Sequence, residues 1–500
     1  MEIPNYVLEI IKKIEKAGFE AYIVGGCVRD LMLAHANKEI LSKDWDLTTN
    51  ALPEEILKIF PDSKYDNVFG TVLVKTKNEQ GETEQVVEVT TYRSEGRYSD
   101  RRHPDEIKFE KDLDKDLERR DFTVNALAGK VKVESKKLKV KNKELNIEDF
   151  EIIDLFGGEK DIRKKVIRAV GEPVDRFKED ALRMMRAIRF MVQLNFEIEP
   201  KTERAIMKMA GSLKFIANER IKDELVKILS SDHSYEGMMK LYKTNLLNYI
   251  IPELLIGDGV AQSRHHVHTV FKHCMLSLKH CPSKEWQVRL ASLLHDIGKP
   301  KVKKYRDGVA TFYQHEYVGE RMTRKIMKRL KFSGADTDRI VNLVRNHMFY
   351  YDTEKVTAAS VRRLIKKVGK DNLKDLIDMR IADRLGSGVP KAKPYKLRHL
   401  EYMFERVQND PVSVKMLKIN GDYMIEKMNF KPGPEMGAIL DVLLSEVIED
   451  PELNKLELLE KRVEILRDDN LKELKIKAKD KIEEKRRKDD RKLKKGHYVK

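Results

Sequence analysis

Cysteine is scarce, with three in 500 residues, at positions 27, 274 and 281. So few thiols, so far apart, exclude a disulfide-stapled scaffold and a four-cysteine zinc site. Long apolar runs are missing as well. None reaches the roughly 18 residues that a bilayer span needs, so no membrane partner is expected. The opening stretch MEIPNYVLEIIKKIEKAGF scatters acids and lysines among its apolar positions. That pattern excludes a signal peptide and leads to a cytoplasmic expectation. Charge is abundant: 36% of residues, against about a quarter in an average domain. Lys and Arg number 99 against 83 Asp and Glu, a net charge of +16. A hydrophobic content of 41% excludes a wholly disordered chain, and the length suggests about three domains. The basic balance makes a polyanion the first guess for a partner.

Local patterns change along the chain. Residues 6–17 carry Val7, Leu8, Ile11 and Ile14 at helical spacing. AYIVGG (21–26) reads as a strand entering a glycine turn, and TVLVKT (71–76) and QVVEVTTY (85–92) read as strands. RSEGRYSDRRHP (93–104) reads as a loop. Beyond about residue 175 strand signals fade and helical patterns take over. The last thirty residues hold 14 Lys and Arg against 6 Asp and Glu. Their thin apolar stripe reads as a solvated helix or frayed tail, with an RNA-touching arm as the alternative.

Two chemical constellations stand out. In YIVGGCVRD (22–30), Gly25 and Gly26 lie between a strand and a helix, with Arg29 in the first turns. Glycine lets backbone approach a ligand closely, and helix N-terminal amides face anions. In KDWDLTT (43–49), Asp44 and Asp46 are two apart, so on a strand they share a face. Two carboxylates on one face repel unless they bind cations, which suits two-metal phosphoryl or nucleotidyl transfer. Glu88 supplies a third acid in mid-strand. Asp180 and Arg183, three apart in a helical run, are expected to face the same way. They read either as an ion pair or as an acceptor and donor for one base edge.

The second constellation is VRLASLLHDIGKP (288–300), where His295 and Asp296 close an apolar helix before a Gly-Lys-Pro stop. His273 lies upstream and Asp383 downstream. Mixed imidazole and carboxylate favours Mn, Fe, Co, Ni or Zn over Mg. His265, His266 and His268 read as loop residues, and Cys274 as a packing residue.

GGCVRD, DWDLTT, RRDFTVNALA (119–128), DLFGGEKDIRKKVIRAVG (154–171), EDALRMMRAIRF (179–190) and NERIKDEL (218–225) occur in a fixed order. Together they resemble the class II tRNA nucleotidyltransferase and bacterial poly(A) polymerase family. The cluster near 260–390 resembles an HD-type phosphohydrolase domain, and 419–454 resembles the helical tail of CCA-adding enzymes.

The resemblance implies an α+β chain. A polymerase-β-like head with a small mixed sheet (1–170) would precede an all-α neck (171–255), an HD domain (256–395) and a tRNA-binding tail (396–500). It implies Mg2+ held by Asp44 and Asp46, with Glu88 as third acid. It places a nucleotide against Gly25, Gly26, Arg29, Arg120, Asp121, Asp180, Arg183, Arg186 and Arg189. His273, His295, Asp296 and Asp383 would hold the HD metal, with His315 and His347 as further ligands. The implied partners are tRNA, CTP and ATP, with no protein partner. The implied activity is CCA addition to tRNA. Poly(A) synthesis, CC-only or A-only addition and, more distantly, HD nucleotide hydrolysis stay open.

Overall fold

The β-branched runs of the first third of the chain form one mixed sheet. Its strands are β1 (Ala21–Val24), β2 (Asp46–Thr49), β3 (Lys64–Tyr65), β4 (Thr71–Lys77) and β5 (Thr83–Thr91). A small hairpin, β6 (Arg93–Glu95) with β7 (Ile107–Phe109), stands apart, and β8 (Leu127–Val131) and β9 (Phe150–Asp154) complete the sheet. The order across it is β3-β4-β5-β2-β1-β8-β9. β2 and β5 run parallel, with Asp46 opposite Glu88, and the other neighbours run antiparallel. This computed structural model describes residues 3–36, 45–65, 70–77, 83–96, 107–132, 147–262, 267–349, 351–389, 392–408, 414–467 and 471–499.

β1 sits near the middle of the sheet and all four of its residues are buried. That explains an unbroken apolar run instead of alternation. The helix Asn5–Lys16 buries Val7, Leu8, Ile10, Ile11 and Ile14. Burying each of these aliphatic side chains contributes about 1.5–3 kcal/mol. At the end of β1, Gly25 takes φ +81°, and its N–H donates to the Leu127 carbonyl of β8 at 3.0 Å. A Cβ there would lie 2.9 Å from Arg120 Nη1. Gly26 opens the helix Gly26–Ala36, and a Cβ on it would meet only ordinary contacts.

Beyond β9 the chain is mainly helical. It adds two short pairings that the sequence patterns do not reveal. Val166–Ile167 pairs in parallel with Glu197–Ile198, and Lys304–Arg306 forms a hairpin with Val309–Thr311. Residues 1–344 form one unit and residues 345–500 another. The division falls within the segment 256–395 set apart in the sequence.

In the second unit, a core of Ile419, Met424, Ile439, Leu443, Val463 and Leu466 is closed by Ala478 and Ile482. The last two belong to the basic helix Leu471–Gly496. That helix is a docked element instead of a frayed tail. Asp490 accepts from Tyr402 on the helix Tyr395–Gln408, and His497 contacts Glu405 at 2.7 Å. The helix Gly421–Met428 ends at Asn429 in the left-handed region (φ 53°), and Pro434 opens the helix Pro434–Glu449, where its missing N–H costs nothing.

Candidate functional site

A cleft of about 590 Å3 opens behind the Gly25 turn. Gly25, Gly26, Arg29, Asp46, Arg120, Asp121, Asp180, Arg183, Arg186 and Arg189 all line it. The sheet, the helix after β1, the RRD segment and the helix Arg183–Leu194 each contribute part of this wall. Eight arginines and four aspartates face the cleft, a surplus of four positive charges. A concave wall with this excess focuses a field that attracts polyanions.

Each buried arginine is tied to an oxygen. Arg29 is 7% exposed, and its guanidinium donates to Asn125 Oδ1 at 2.5 Å and to Asp30 at 2.8 Å. Arg186 Nε donates to Asp121 Oδ2 at 2.6 Å. Burial alone would raise the Asp121 pKa, but Arg186 and Arg183 outweigh it and bring it down to about 2. Arg189 donates to Glu224 at 2.8 Å and lies 4.2 Å from the centre of the Phe190 ring. Burial and the neighbouring Arg186 lower its pKa to about 10. Arg119 and Arg120 share the wholly buried Asp116, at 2.6 and 3.2 Å.

Asp180 and Arg183 reach the cleft by a different route from the one their spacing implies. A helix ends at Glu179, Asp180 is extended (φ −135°, ψ 107°), and a new helix starts at Arg183. Asp180 accepts from Arg220 at 2.7 Å and from the Leu182 N–H at 2.9 Å. Arg183 donates to Glu179 at 2.6 Å and to the Arg119 carbonyl at 3.1 Å. Each therefore has its own ion partner, and both point into one cavity.

Asp46 lines the cleft at the start of β2, and Glu88 stands opposite it in register on the parallel strand β5. Glu88 is exposed and is not among the residues that line the cleft. Asp44 lies outside the described residues, as do His265, His266 and residues 97–106 of the arginine-rich stretch.

The second cluster is built around Asp296. His273 Nε2 and His295 Nε2 lie 3.0 Å apart, and Asp296 Oδ2 is 3.2 and 3.3 Å from them. His315 Nε2 lies 3.2 Å from Asp296 Oδ1. The Nδ1 atoms of His295 and His315 face the carbonyls of Ser292 and Phe312 at 2.8 and 2.7 Å. Those carbonyls fix the proton on Nδ1 and turn the Nε2 lone pairs toward the carboxylate. His273, His295 and Asp296 form a buried group able to hold a metal ion, and this donor set suits one. Lys299, which the sequence patterns cast only as a helix stop, bonds Asp296 at 2.6 Å and Gln262 at 2.7 Å. His268 instead offers its carbonyl to Gln262, and Cys274 is buried. His347 and Asp383 belong to the second unit. There His347 is buried, and Asp383 accepts from Arg380 at 2.8 Å.

Residues 21–168 match the poly A polymerase head domain, 195–256 a probable RNA- and SrmB-binding site of polymerase A, and 265–387 the HD domain. The A-adding tRNA nucleotidyltransferase of Deinococcus radiodurans is 33% identical over 348 residues, covering 66% of this chain and 74% of its own. The chain belongs to the tRNA nucleotidyltransferase family. A CCA-adding enzyme of Lactobacillus delbrueckii subsp. bulgaricus is 42% identical over 246 residues. That match spans 49% of this chain and 55% of the relative, so little more than half of the relative's length is matched. The crystal structure of the Bacillus stearothermophilus CCA-adding enzyme in complex with CTP superposes with a TM-score of 0.57. It is 26% identical, and the match covers 93% of this chain and 97% of that one. Both the nucleotidyltransferase and the HD families are metal-dependent.

Proposed function

We propose that this chain adds C, C and A in turn to the 3′ end of tRNA, using CTP and ATP. The observation that carries the reading is the single cleft in which Asp46, the Gly25 turn, the arginine wall and the Asp180–Arg183 pair meet. The match to a CCA-adding enzyme that holds CTP supports it.

Asp46, with Asp44, would hold Mg2+, which activates the RNA 3′-hydroxyl and offsets charge on the triphosphate. The Gly25 turn brings backbone close to the phosphates, and Arg29 and Arg120 supply fixed charge. Asp121 steadies Arg186. Asp180 Oδ1 accepts from Leu182 and, at 3.5 Å, from Arg220, while Oδ2 has one lone pair left beyond Arg220. It accepts the amino group of cytosine or adenine, while Arg183 donates to the neighbouring ring acceptor. Guanine and uracil present a carbonyl and a ring N–H there, so the pair rejects them. The His273, His295, Asp296 and His315 cluster would hold a divalent transition metal, which would supply a separate phosphohydrolase activity.

The test offers single nucleotides to tRNA transcripts lacking CCA, CA or only the final A. Correct extension of all three supports full CCA addition. The Deinococcus radiodurans relative favours a second reading, A-addition alone. Under that reading only the transcript ending in CC is extended. Asp180→Ala tests the template. UTP and GTP should enter the tRNA end, with a loss of discrimination worth about 1–3 kcal/mol. Unchanged rejection of both nucleotides would remove this residue from base reading.

A further inference from the structure

Between His295 and His315 the chain runs through KPKVKKYRDGVATFYQ, and the hairpin inside it serves neither site described above. Its strands pair Lys304 with Thr311, Tyr305 with Ala310 and Arg306 with Val309. Asp307 and Gly308 both have positive φ, 50° and 76°. This two-residue Asp-Gly turn matches the right-handed twist of the strands and fixes their register. The segment is therefore an ordered hairpin.

It displays aromatic rings to solvent. Tyr305 is 68% exposed, Tyr313 67% and Tyr317 44%. Single exposed aromatics are ordinary, but here three fall within thirteen residues, Tyr305 on the first strand, Tyr313 just past the second and Tyr317 in the first turn of the helix His315–Arg329. Each of the two most exposed rings is accompanied by a cation. Lys303 Nζ lies 5.3 Å from the centre of the Tyr305 ring, and Arg306 Cζ lies 5.4 Å from that of Tyr313. These contacts order the rings before any partner arrives. Lys301, Lys304 and Arg306 are exposed alongside them. Residues 299–317 carry five Lys and Arg against two acids, Asp307 and Glu316.

We propose that this hairpin is a stacking surface for unpaired nucleotides of RNA. Flat apolar faces beside positive charge suit a ligand with flat apolar faces on a polyanionic backbone. Single-stranded nucleic acid has both, and base stacking on Tyr is tolerant of sequence. A duplex stacks its base faces on one another and offers mainly phosphates and 2′-hydroxyls, so it gains little from the rings. A protein partner would use the apolar rings but would gain little from cations held over them. The surface lies apart from the nucleotide cleft and neither needs nor alters its chemistry, so it stands even if the proposed CCA addition fails.

The experiment uses the full chain and fluorescent RNA of about twelve nucleotides, single-stranded or as a blunt duplex, at one fixed salt concentration. The paired change Tyr305→Ala with Tyr313→Ala should weaken single-strand binding about tenfold or more. Duplex binding should stay within about twofold, because phosphate contacts do not use the rings. Tyr305→Phe with Tyr313→Phe keeps both rings and should bind like wild type. A second measurement needs no variant: 4-thiouridine placed in the single strand should cross-link wild-type protein within residues 304–317. Unchanged single-strand binding by the alanine pair overturns the proposal. So does an equal loss on duplex, a matching loss in the phenylalanine pair, or cross-links confined to other segments.

Discussion

Eight arginines line the open cleft behind Gly25, whereas three histidines and one lysine enclose the carboxylate of Asp296. Both places concentrate ionisable groups, but by different means. Guanidinium groups stay charged at any physiological pH, and each buried one in the cleft is anchored to an Asp, a Glu, an Asn or a carbonyl. The wall is therefore a permanent cationic surface, suited to an anion that comes and goes. Imidazoles with Nδ1 protons fixed by carbonyls present lone pairs instead. That arrangement suits a cation that stays. One unit thus holds a site of fixed positive charge and a site of converging imidazole nitrogens, and the choice between Arg and His sets which is which.

The largest effects test whether the two sites are separable. Asp46→Ala should lower nucleotide addition at least about 1000-fold, roughly 4 kcal/mol of barrier, and leave the metal content of the histidine cluster unchanged. His295→Ala with Asp296→Ala should remove that metal, read by elemental analysis, and keep addition within about tenfold of wild type. A variant that loses both properties with its fold intact would merge the sites.

Next in size is Asp116, the buried anion under the cleft's arginine corner. It also accepts from Thr48 on β2, at 3.4 Å. Asp116→Asn leaves Arg119 and Arg120 without their countercharge. Breaking a buried pair of this kind costs about 3–5 kcal/mol, and the KM for nucleotide should rise as the arginines lose position. Urea unfolding checks the first effect and steady-state kinetics the second. Stability within about 0.5 kcal/mol of wild type would make Asp116 a bystander.

Asp121 probes the permanence of the cationic wall through pH. Its folded pKa, about 2, lies below its ordinary value, so the unfolded state binds the proton more readily. The stabilisation, about 2 kcal/mol, is fully present above pH ~4 and is lost as pH falls toward ~2. Urea stability of wild type should drop through that window more steeply than that of Asp121→Asn. Parallel pH profiles would show that Arg186 does not stabilise the carboxylate.

The smallest expected effect separates neighbours within the cleft. Gly26→Ala should change stability by less than about 1 kcal/mol, since a Cβ meets nothing closer than 3.6 Å. Gly25→Ala should cost about 1–2 kcal/mol, because φ is +81° and the methyl would press on Arg120 at 2.9 Å. Equal behaviour of the two variants, measured by thermal midpoint and nucleotide KM, would place the turn's importance elsewhere.

Short-range pattern made much of this legible. The Gly25 turn, the strand carrying Asp46 and the His295-Asp296 helix end all follow from local residue order. Asp180 and Arg183 do share a cavity, but not for the helical reason their spacing suggests, because the backbone leaves the helix between them. Arg220, 40 residues from Asp180, and Asn125, 96 residues from Arg29, were not legible, because periodicity carries no information on distant pairs. Asp116 and Lys299 are a different kind of omission. They stand three or four positions from Arg119, Arg120 and Asp296, the spacing at which helical side chains meet. The basic C-terminal stretch forms the solvated helix its pattern suggests, but the sparse apolar stripe does not reveal that it docks. Ala478 and Ile482, one turn apart, were enough to dock it.

The hydrogen bond from Gly25 to Leu127 joins residues about a hundred positions apart, and β1 cannot complete its pairing until β8 arrives. The turn that lines the cleft is thus the product of one of the longest-range closures in the sheet, the kind that forms late when a chain folds. A nucleotide has nothing to grip until that closure is made. Bound CTP should therefore slow the unfolding of the head and leave its folding rate nearly unchanged. The time course of nucleotide binding after dilution from denaturant would then mark the moment at which the head's topology locks.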